Sequence, residues 1–140
     1  MARVIHLFRA PKRRERMEEL QEALAVENVG LGGCAHARPQ GKRQVLLMDR
    51  ETLDVFALAA GIVRENVTTE GLDVNGLTIG DRLQIGEVEL QVSEQIEALR
   101  PGLQAAMQGR RGMLCKVARG GLLRRGDEIV VMQQTAAQGI

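Results

Sequence analysis

The alternation of apolar and polar residues marks out short elements along the chain. Residues 3–9, RVIHLFR, alternate well enough for a strand, with Val4, His6 and Phe8 on one side, Ile5 and Leu7 between them, and Pro11 closing it. Residues 12–25, KRRERMEELQEALA, follow a helical period. Met17, Leu20 and Leu24 recur along one face, and Arg14 and Glu18 are spaced as an i,i+4 pair. NVGLGG (28–33) is a turn with three glycines, and RQVLLM (43–48) is a short apolar strand. Asp49 then stands as an N-cap before a helix striped by Leu53, Phe56, Ala57 and Ala60 and stopped at Gly61.

The second half reads mainly as strands. DRLQIGEVELQV (81–92) is the clearest hairpin: Leu83 and Ile85 alternate with polar residues, Gly86-Glu87 turns, and Val88, Leu90 and Val92 alternate again. RPGLQAAMQG (100–109) is a short helix, with Pro101 at its start and Gly109 past its end. MLCKVA (113–118) is a strand, RGG turns, DEIVVM (127–132) is the last strand, and 133–140 is a frayed tail. Gly-Asp stands before two of the strands, at 80–81 and 126–127, where the Asp side chain can bond nearby backbone N–H groups. The sum is one domain over residues 1–140, mostly β with a few short helices, arranged as a closed or nearly closed β-barrel.

Composition sharpens this picture. Of 140 residues, 44% are apolar and 26% charged, and with two Phe, no Tyr and no Trp the core must be aliphatic. Single-stranded nucleic-acid binders stack bases on aromatic rings, so that class is excluded as a working reading. The net charge is +1, yet Arg100, Arg110, Arg111, Lys116, Arg119, Arg124 and Arg125 fall in a stretch with no Asp or Glu. Either this block meets an anionic partner, or acidic residues elsewhere in the fold match it. Cys34 and Cys115 form no CxxC, which argues against structural zinc. MARVIHLFRA lacks the apolar core of a signal peptide, and no run approaches the ~20 apolar residues of a membrane span. A cytoplasmic protein with reduced thiols and no membrane partner is expected.

Four segments stand in a telling order: GLGGCAHA (30–37), RQVLL (43–47), RENVTTEGLDVNGLTIGDRLQIGEVELQV (64–92) and GRRGMLCKVARGGLLRRGDEI (109–129). Together they resemble the MOSC domain family over about residues 28 to 132. This module occurs at the C-terminus of molybdenum-cofactor sulfurases and in small stand-alone bacterial proteins. The resemblance implies a barrel-like fold and a function tied to the molybdenum cofactor. That function would be binding the molybdopterin, carrying sulfur for it, or using it to reduce N-hydroxylated compounds. No pyridoxal phosphate is expected in this chain. The implied partners are the anionic pterin cofactor and a redox or molybdoenzyme protein.

The positions matching the family's polar residues are His36, Arg43, Gln44, Glu65, Asn66, Thr68 and Thr69, with Arg64 beside them. On this reading they line one pocket. Arg43 and Arg64 would meet phosphate or pterin acceptors through forked hydrogen bonds, and Asn66 and the threonines would bond the pterin edge. Each has a plainer alternative: a turn bonding its own backbone for Asn66, Thr68 and Thr69, a surface residue for Arg43, a structural histidine for His36.

Two departures bear on chemistry. Cys34 stands where the family's GLxGDxH has Asp, and SEQIEAL (93–99) replaces a CxPC-like segment, with Ser93 and Ile96 at the cysteine positions. Cys34 is therefore the candidate metal ligand or catalytic thiol, against the alternative of a small buried residue. Cys115 alternates with Met113 and Val117 and reads as interior. Hydrolytic machinery is not indicated, because His6 and His36 are the only histidines and Ser93 the only serine. Whether the domain is an enzyme is left open. A reductase needs a thiolate on the metal, whereas a carrier or a redox-inactive anion binder needs only the Arg/Asn/Thr pocket.

Overall fold

The computed structural model describes residues 1–12, 16–34, 37, 39–41, 44–95 and 112–132. Two sheets carry the fold. In the larger, β1 (Arg3–Arg9) lies between β2 (Glu18–Leu20) and β6 (Val67–Glu70), antiparallel to both. Beyond β6 the order continues through β5 (Val45–Asp49), β9 (Met113–Arg119), β8 (Val88–Gln95) and β7 (Arg82–Ile85) to β11 (Ile129–Met132). The β5–β6 pair is parallel, with Leu47 opposite Val67 and Asp49 opposite Thr69. The smaller sheet has the order β10 (Gly121–Arg124), β3 (Glu22–Val26), β4 (Gly30–Leu31).

The expected hairpin is present, with Leu83 opposite Leu90 and Ile85 opposite Val88. Its inward residues meet Val45, Leu47, Val67 and Val117 in an aliphatic core, and Ala23, Ala25, Leu31 and Leu123 cover that core from the smaller sheet. Burying each large aliphatic side chain contributes about 1.5–3 kcal/mol, which is how a chain without Trp or Tyr holds two sheets together. Cys115 sits in this core as expected. The Gly-Asp turns also do what their chemistry suggests. Asp81 Oδ2 accepts from Thr78 N and Asp127 Oδ2 from Arg124 N, each at 2.9 Å.

The barrel is not found. The large sheet is open, with β11 at one edge and β2 at the other. β1 gives one edge to β6 and, at Leu7–Arg9, the other to β2. What ties its beginning to the last strand is a single bridge, Arg3 to Glu128, with a few neighbouring backbone bonds such as Val4 N to Asp127 O at 2.9 Å. Among the described residues no ladder therefore joins the ends of the sheet, and β10, β3 and β4 form a sheet of their own.

The helix expected over 12–25 is also overturned where it is described, because Glu18–Leu20 and Glu22–Val26 are strands. Burial in β3 alternates, with Ala23 and Ala25 inward and Glu22, Leu24 and Val26 outward. Pairing of Leu24 with Leu122 and of Ala25 with Leu31 satisfies the backbone that local propensity would have folded into a helix. Glu18 pairs with Arg9 at 2.9 Å, and Arg14 lies outside the described residues. β10 occupies sequence expected to start as a turn. In β1 a register shift between Val4 and His6 puts Val4 and Leu7 in the core and leaves His6 stacked with Phe8 at 5.9 Å. The expected helix at 100–109 and the tail at 133–140 lie outside the described residues. Among the described residues, no helix is long and apolar enough to cross a membrane.

Asp49 caps α1 (Arg50–Val55) as its position suggests, accepting from Thr52 N at 3.1 Å and Thr52 Oγ1 at 2.8 Å. The helix ends at Val55, short of Gly61, and Ala57 turns the chain with φ 54°. Leu53, Phe56 and Ala60 still pack with Met48 and Val63. Asn75 Nδ2 reaches Asp49 Oδ1 at 3.4 Å, and Asn75 Oδ1 accepts from Gly112 N at 2.9 Å, so this cap also anchors the entry to β9. Burial raises the Asp49 carboxyl above its ordinary value, outweighing the lowering effect of the Thr52 hydrogen bonds. An acid raised on folding contributes stability fully below its unfolded pKa of about 3.9 and loses that contribution as pH climbs through the folded value. Asp49→Asn keeps a capping oxygen without the charge. The stability of the native protein relative to this variant should therefore fall as pH rises above about 4 in urea titrations. A difference independent of pH would reject this account.

Candidate functional site

The signature segment begins in a turn that runs into β6. Arg64 takes a left-handed conformation (φ 64°), and its N–H bonds Gly61 O at 3.0 Å. Glu65 is fully buried. Its Oε2 accepts from Gly61 N at 2.9 Å and from Thr68 Oγ1 at 2.8 Å, while Oε1 has no partner among the described residues. A Glu side chain thus closes the turn on one side and ties it to the strand on the other.

Asn66 is the most heavily bonded residue of the segment. Its backbone N–H donates to Leu46 O at 2.9 Å, and its carbonyl accepts from Phe8 N at 2.8 Å. Its side-chain Oδ1 accepts from Leu46 N at 2.9 Å, and Nδ2 donates to Phe8 O at 3.2 Å and to Cys34 Sγ at 3.6 Å. The amide orientation follows from these partners, because a backbone N–H needs the oxygen and a carbonyl needs the nitrogen. Asn66 therefore joins β1, β5 and the Cys34 turn at one point.

The neighbouring threonines are buried within β6, Thr68 opposite His6 and Thr69 opposite Val4. Adjacent strand residues face opposite sides of the sheet, so the two hydroxyls do not share a site. Thr69 Oγ1 has no partner among the described residues. Gln44 is buried on a different seam. Its Nε2 donates to Asn28 Oδ1 at 3.2 Å and Gly41 O at 2.7 Å, and its Oε1 accepts from Val117 N at 2.9 Å. His36 and Arg43 lie outside the described residues.

Cys34 follows the turn after β4 and is 7% exposed. Gly33, at φ 77°, leaves space that the Arg9 guanidinium occupies, since a Cβ there would stand 2.6 Å from Arg9 Nη1. Arg9 beside this turn is a residue that sequence reasoning did not single out. The available signal was a cation closing a strand, and only the fold brings it against Gly33. Asn28 and Asn75 were missed for a similar reason, since their side-chain partners are remote. The structure thus gathers Cys34, Asn66 and Arg9 in one place and Glu65, Arg64 and Thr68 beside it, with Gln44 and Thr69 elsewhere.

Cys115 is fully buried, and burial alone pushes its thiol far above the ordinary range, which makes it inert at neutral pH. Ser93, at an expected family cysteine position, donates to Leu114 O at 3.1 Å. The described arginines of the basic block face protein groups. Arg119 Nε donates to Glu87 O at 3.0 Å, Arg124 pairs with Glu22 at 3.4 Å, and Arg125 pairs with Glu19 at 3.6 Å. No group of three or more His, Cys, Asp or Glu among the described residues is arranged to hold a metal ion. A cleft of about 400 Å³, lined by Met1, Ala2, Arg3, Glu70, Gly126 and Glu128, includes none of the residues expected from the sequence.

An open mixed sheet with a polar knot at the start of β6 defines a small, mostly β domain. A family model described as "MOSC domain" matches residues 14–98, more than half of the chain, and the chain belongs to that family. The solved structures agree on the fold. The YuaD protein from Bacillus subtilis superposes with a TM-score of 0.78 at 21% identity, covering 95% of this chain and 97% of that one. YiiM from Geobacillus stearothermophilus gives 0.72 at 14% identity, covering 95% and 76%. YiiM from Escherichia coli gives 0.69 at 19% identity, covering 94% and 70%. No curated protein matches the chain.

Replacing Asn66 by Ala would strip Leu46 N–H and Phe8 C=O of buried partners, each worth roughly 1–3 kcal/mol when orphaned. Asn66→Ala should therefore lose about 2–6 kcal/mol in urea unfolding. A loss below about 1 kcal/mol would mean that the knot is not structural.

Proposed function

We propose that this domain binds the molybdenum cofactor, with Cys34 as the thiol that meets the metal and arginines as the groups that meet phosphate. The observation that carries the reading is the Asn66 amide on Cys34 Sγ, which joins the family's signature asparagine to a cysteine in the Gly-rich turn. The donor chemistry fits. Cys34 offers the soft sulfur that suits molybdenum, and the Arg9 guanidinium, paired with Glu18 through Nε, packs on neighbouring Gly33. When bound, the cofactor supplies a redox-active metal on a phosphorylated pterin. The protein's share is to hold that anion and keep it in place. Arg64 and Arg43 would grip phosphate or pterin acceptors and His36 would face the same ligand. Gln44, Glu65, Asn66, Thr68 and Thr69 would act through the loops they tie. Sulfur carriage and reduction of N-hydroxylated compounds are the two activities this assignment allows. Both are served by a reducing cytoplasm, in which neither Cys34 nor Cys115 is held in a disulfide.

The test is the molybdenum and pterin content of protein made in cells with an intact cofactor pathway. Native protein should carry both, and Cys34→Ala should lose metal more than pterin. Native protein with neither would overturn the reading. A second reading, an anion-binding domain without redox chemistry, is favoured by the low exposure of both thiols. Cofactor bound equally well by Cys34→Ala would select it. Arg43→Ala should weaken inorganic phosphate binding about tenfold, the equivalent of one forked contact, and unchanged affinity would remove Arg43 from the site.

A further inference from the structure

Arg64 pays a conformational cost. A non-glycine residue at φ 64° lies in a region that long side chains seldom occupy, and such geometry persists only where its surroundings enforce it. The enforcing contacts are local. Arg64 N–H bonds back to Gly61 O at 3.0 Å, Gly61 itself has φ 87°, and Gly61 N–H donates to Glu65 Oε2 at 2.9 Å. The carboxylate thus spans the turn from 65 to 61 with Arg64 inside the loop it closes. Thr68 Oγ1 donates to the same oxygen at 2.8 Å, which anchors the carboxylate to β6. Left-handed backbone fixes a Cα–Cβ direction that an extended or helical residue at this point would not give.

From this geometry we infer that Glu65 is a positioning residue: its buried carboxylate locks the 61–65 turn and so holds Arg64 in the left-handed conformation from which it would meet the anionic ligand of the proposed function. This rests on the cofactor-binding reading only in giving Arg64 an anion to meet. Glu65 is sealed from solvent, and on this inference its part is to hold the turn. Gly61 and Thr68 together call for one acceptor oxygen, which a glutamine also supplies. The lock therefore depends on the acceptor and not on the charge.

The experiment is a double-mutant cycle on the full chain with inorganic phosphate as the probe, read by calorimetry beside urea unfolding of each variant. Glu65→Ala should weaken phosphate binding about tenfold, and Glu65→Gln should stay within about threefold of native. In an Arg64→Ala background, Glu65→Ala should cost no further affinity. Equal losses in both backgrounds, or a Glu65→Gln as damaged as Glu65→Ala, would overturn the inference. So would the absence of phosphate binding by native protein, or an Arg64→Ala that binds as native does. Stability gives an independent arm, since glycine takes positive φ without strain. Arg64→Gly should shrink the destabilisation caused by Glu65→Ala and should restore folding if Glu65→Ala alone unfolds; failure to do either would overturn the lock. The molybdenum and pterin content of native protein is measured separately. The lock can thus fail while the cofactor reading stands, and the reverse.

Discussion

Backbone groups buried inside a sheet must find partners, and at the start of β6 the partners come from one side chain. Leu46 and Phe8 belong to strands on opposite sides of β6, and each has an N–H and a C=O facing position 66. Asn66 satisfies all four groups with its own backbone and its amide. Few side chains have a donor and an acceptor in this planar arrangement, so the junction of β1, β5 and β6 depends on an asparagine. Once that junction is made, the parallel pairing of β5 with β6 and the position of the Cys34 turn follow from it.

The other buried polar residues work the same way at other seams. Gln44 spends its amide on Asn28, Gly41 and Val117, and so ties the Gly-rich loop to β9. Asp49 and Asn75 join the start of α1 to the entry of β9. Glu65 closes the turn that carries Arg64. A family signature dense in Asn, Thr and Glu thus describes, in large part, how loops are held. Arg9 lies outside the signature, and the fold brings it against Gly33 while its Nε pairs with Glu18 at 2.9 Å.

The pairing of charges follows the strand order and not the sequence. Arg124 and Arg125 meet Glu22 and Glu19 because β10 lies against β3 and the turn after it approaches β2. Arg119 reaches the Glu87 carbonyl, and Glu87 Oε1 in turn accepts from Leu122 N at 3.0 Å on the edge of β10. A run that looks like one cationic block in the chain is divided, in its described part, among several acidic and carbonyl partners at the surface. Such exposed pairs contribute roughly 0–1 kcal/mol each and mainly fix register.

By itself the sequence determined what depends on near neighbours: the hairpin read over 81–92, the alternating aliphatic core positions, the Asp49 cap and the two Gly-Asp turns. It also carried the family resemblance, because a signature is a linear pattern. Tertiary structure alone decided the rest. Residues 18–26 have the composition of a helix and became strands because β1, β10 and β4 offered edges to pair. The sheet stayed open because β2 took the edge of β1 that closure would have needed. The roles of Asn66 and Gln44 lay beyond local reading because their partners Phe8 and Val117 stand 58 and 73 residues away. A periodicity shows which face of an element is apolar, but only the assembled sheet determines which backbone groups a buried side chain must satisfy.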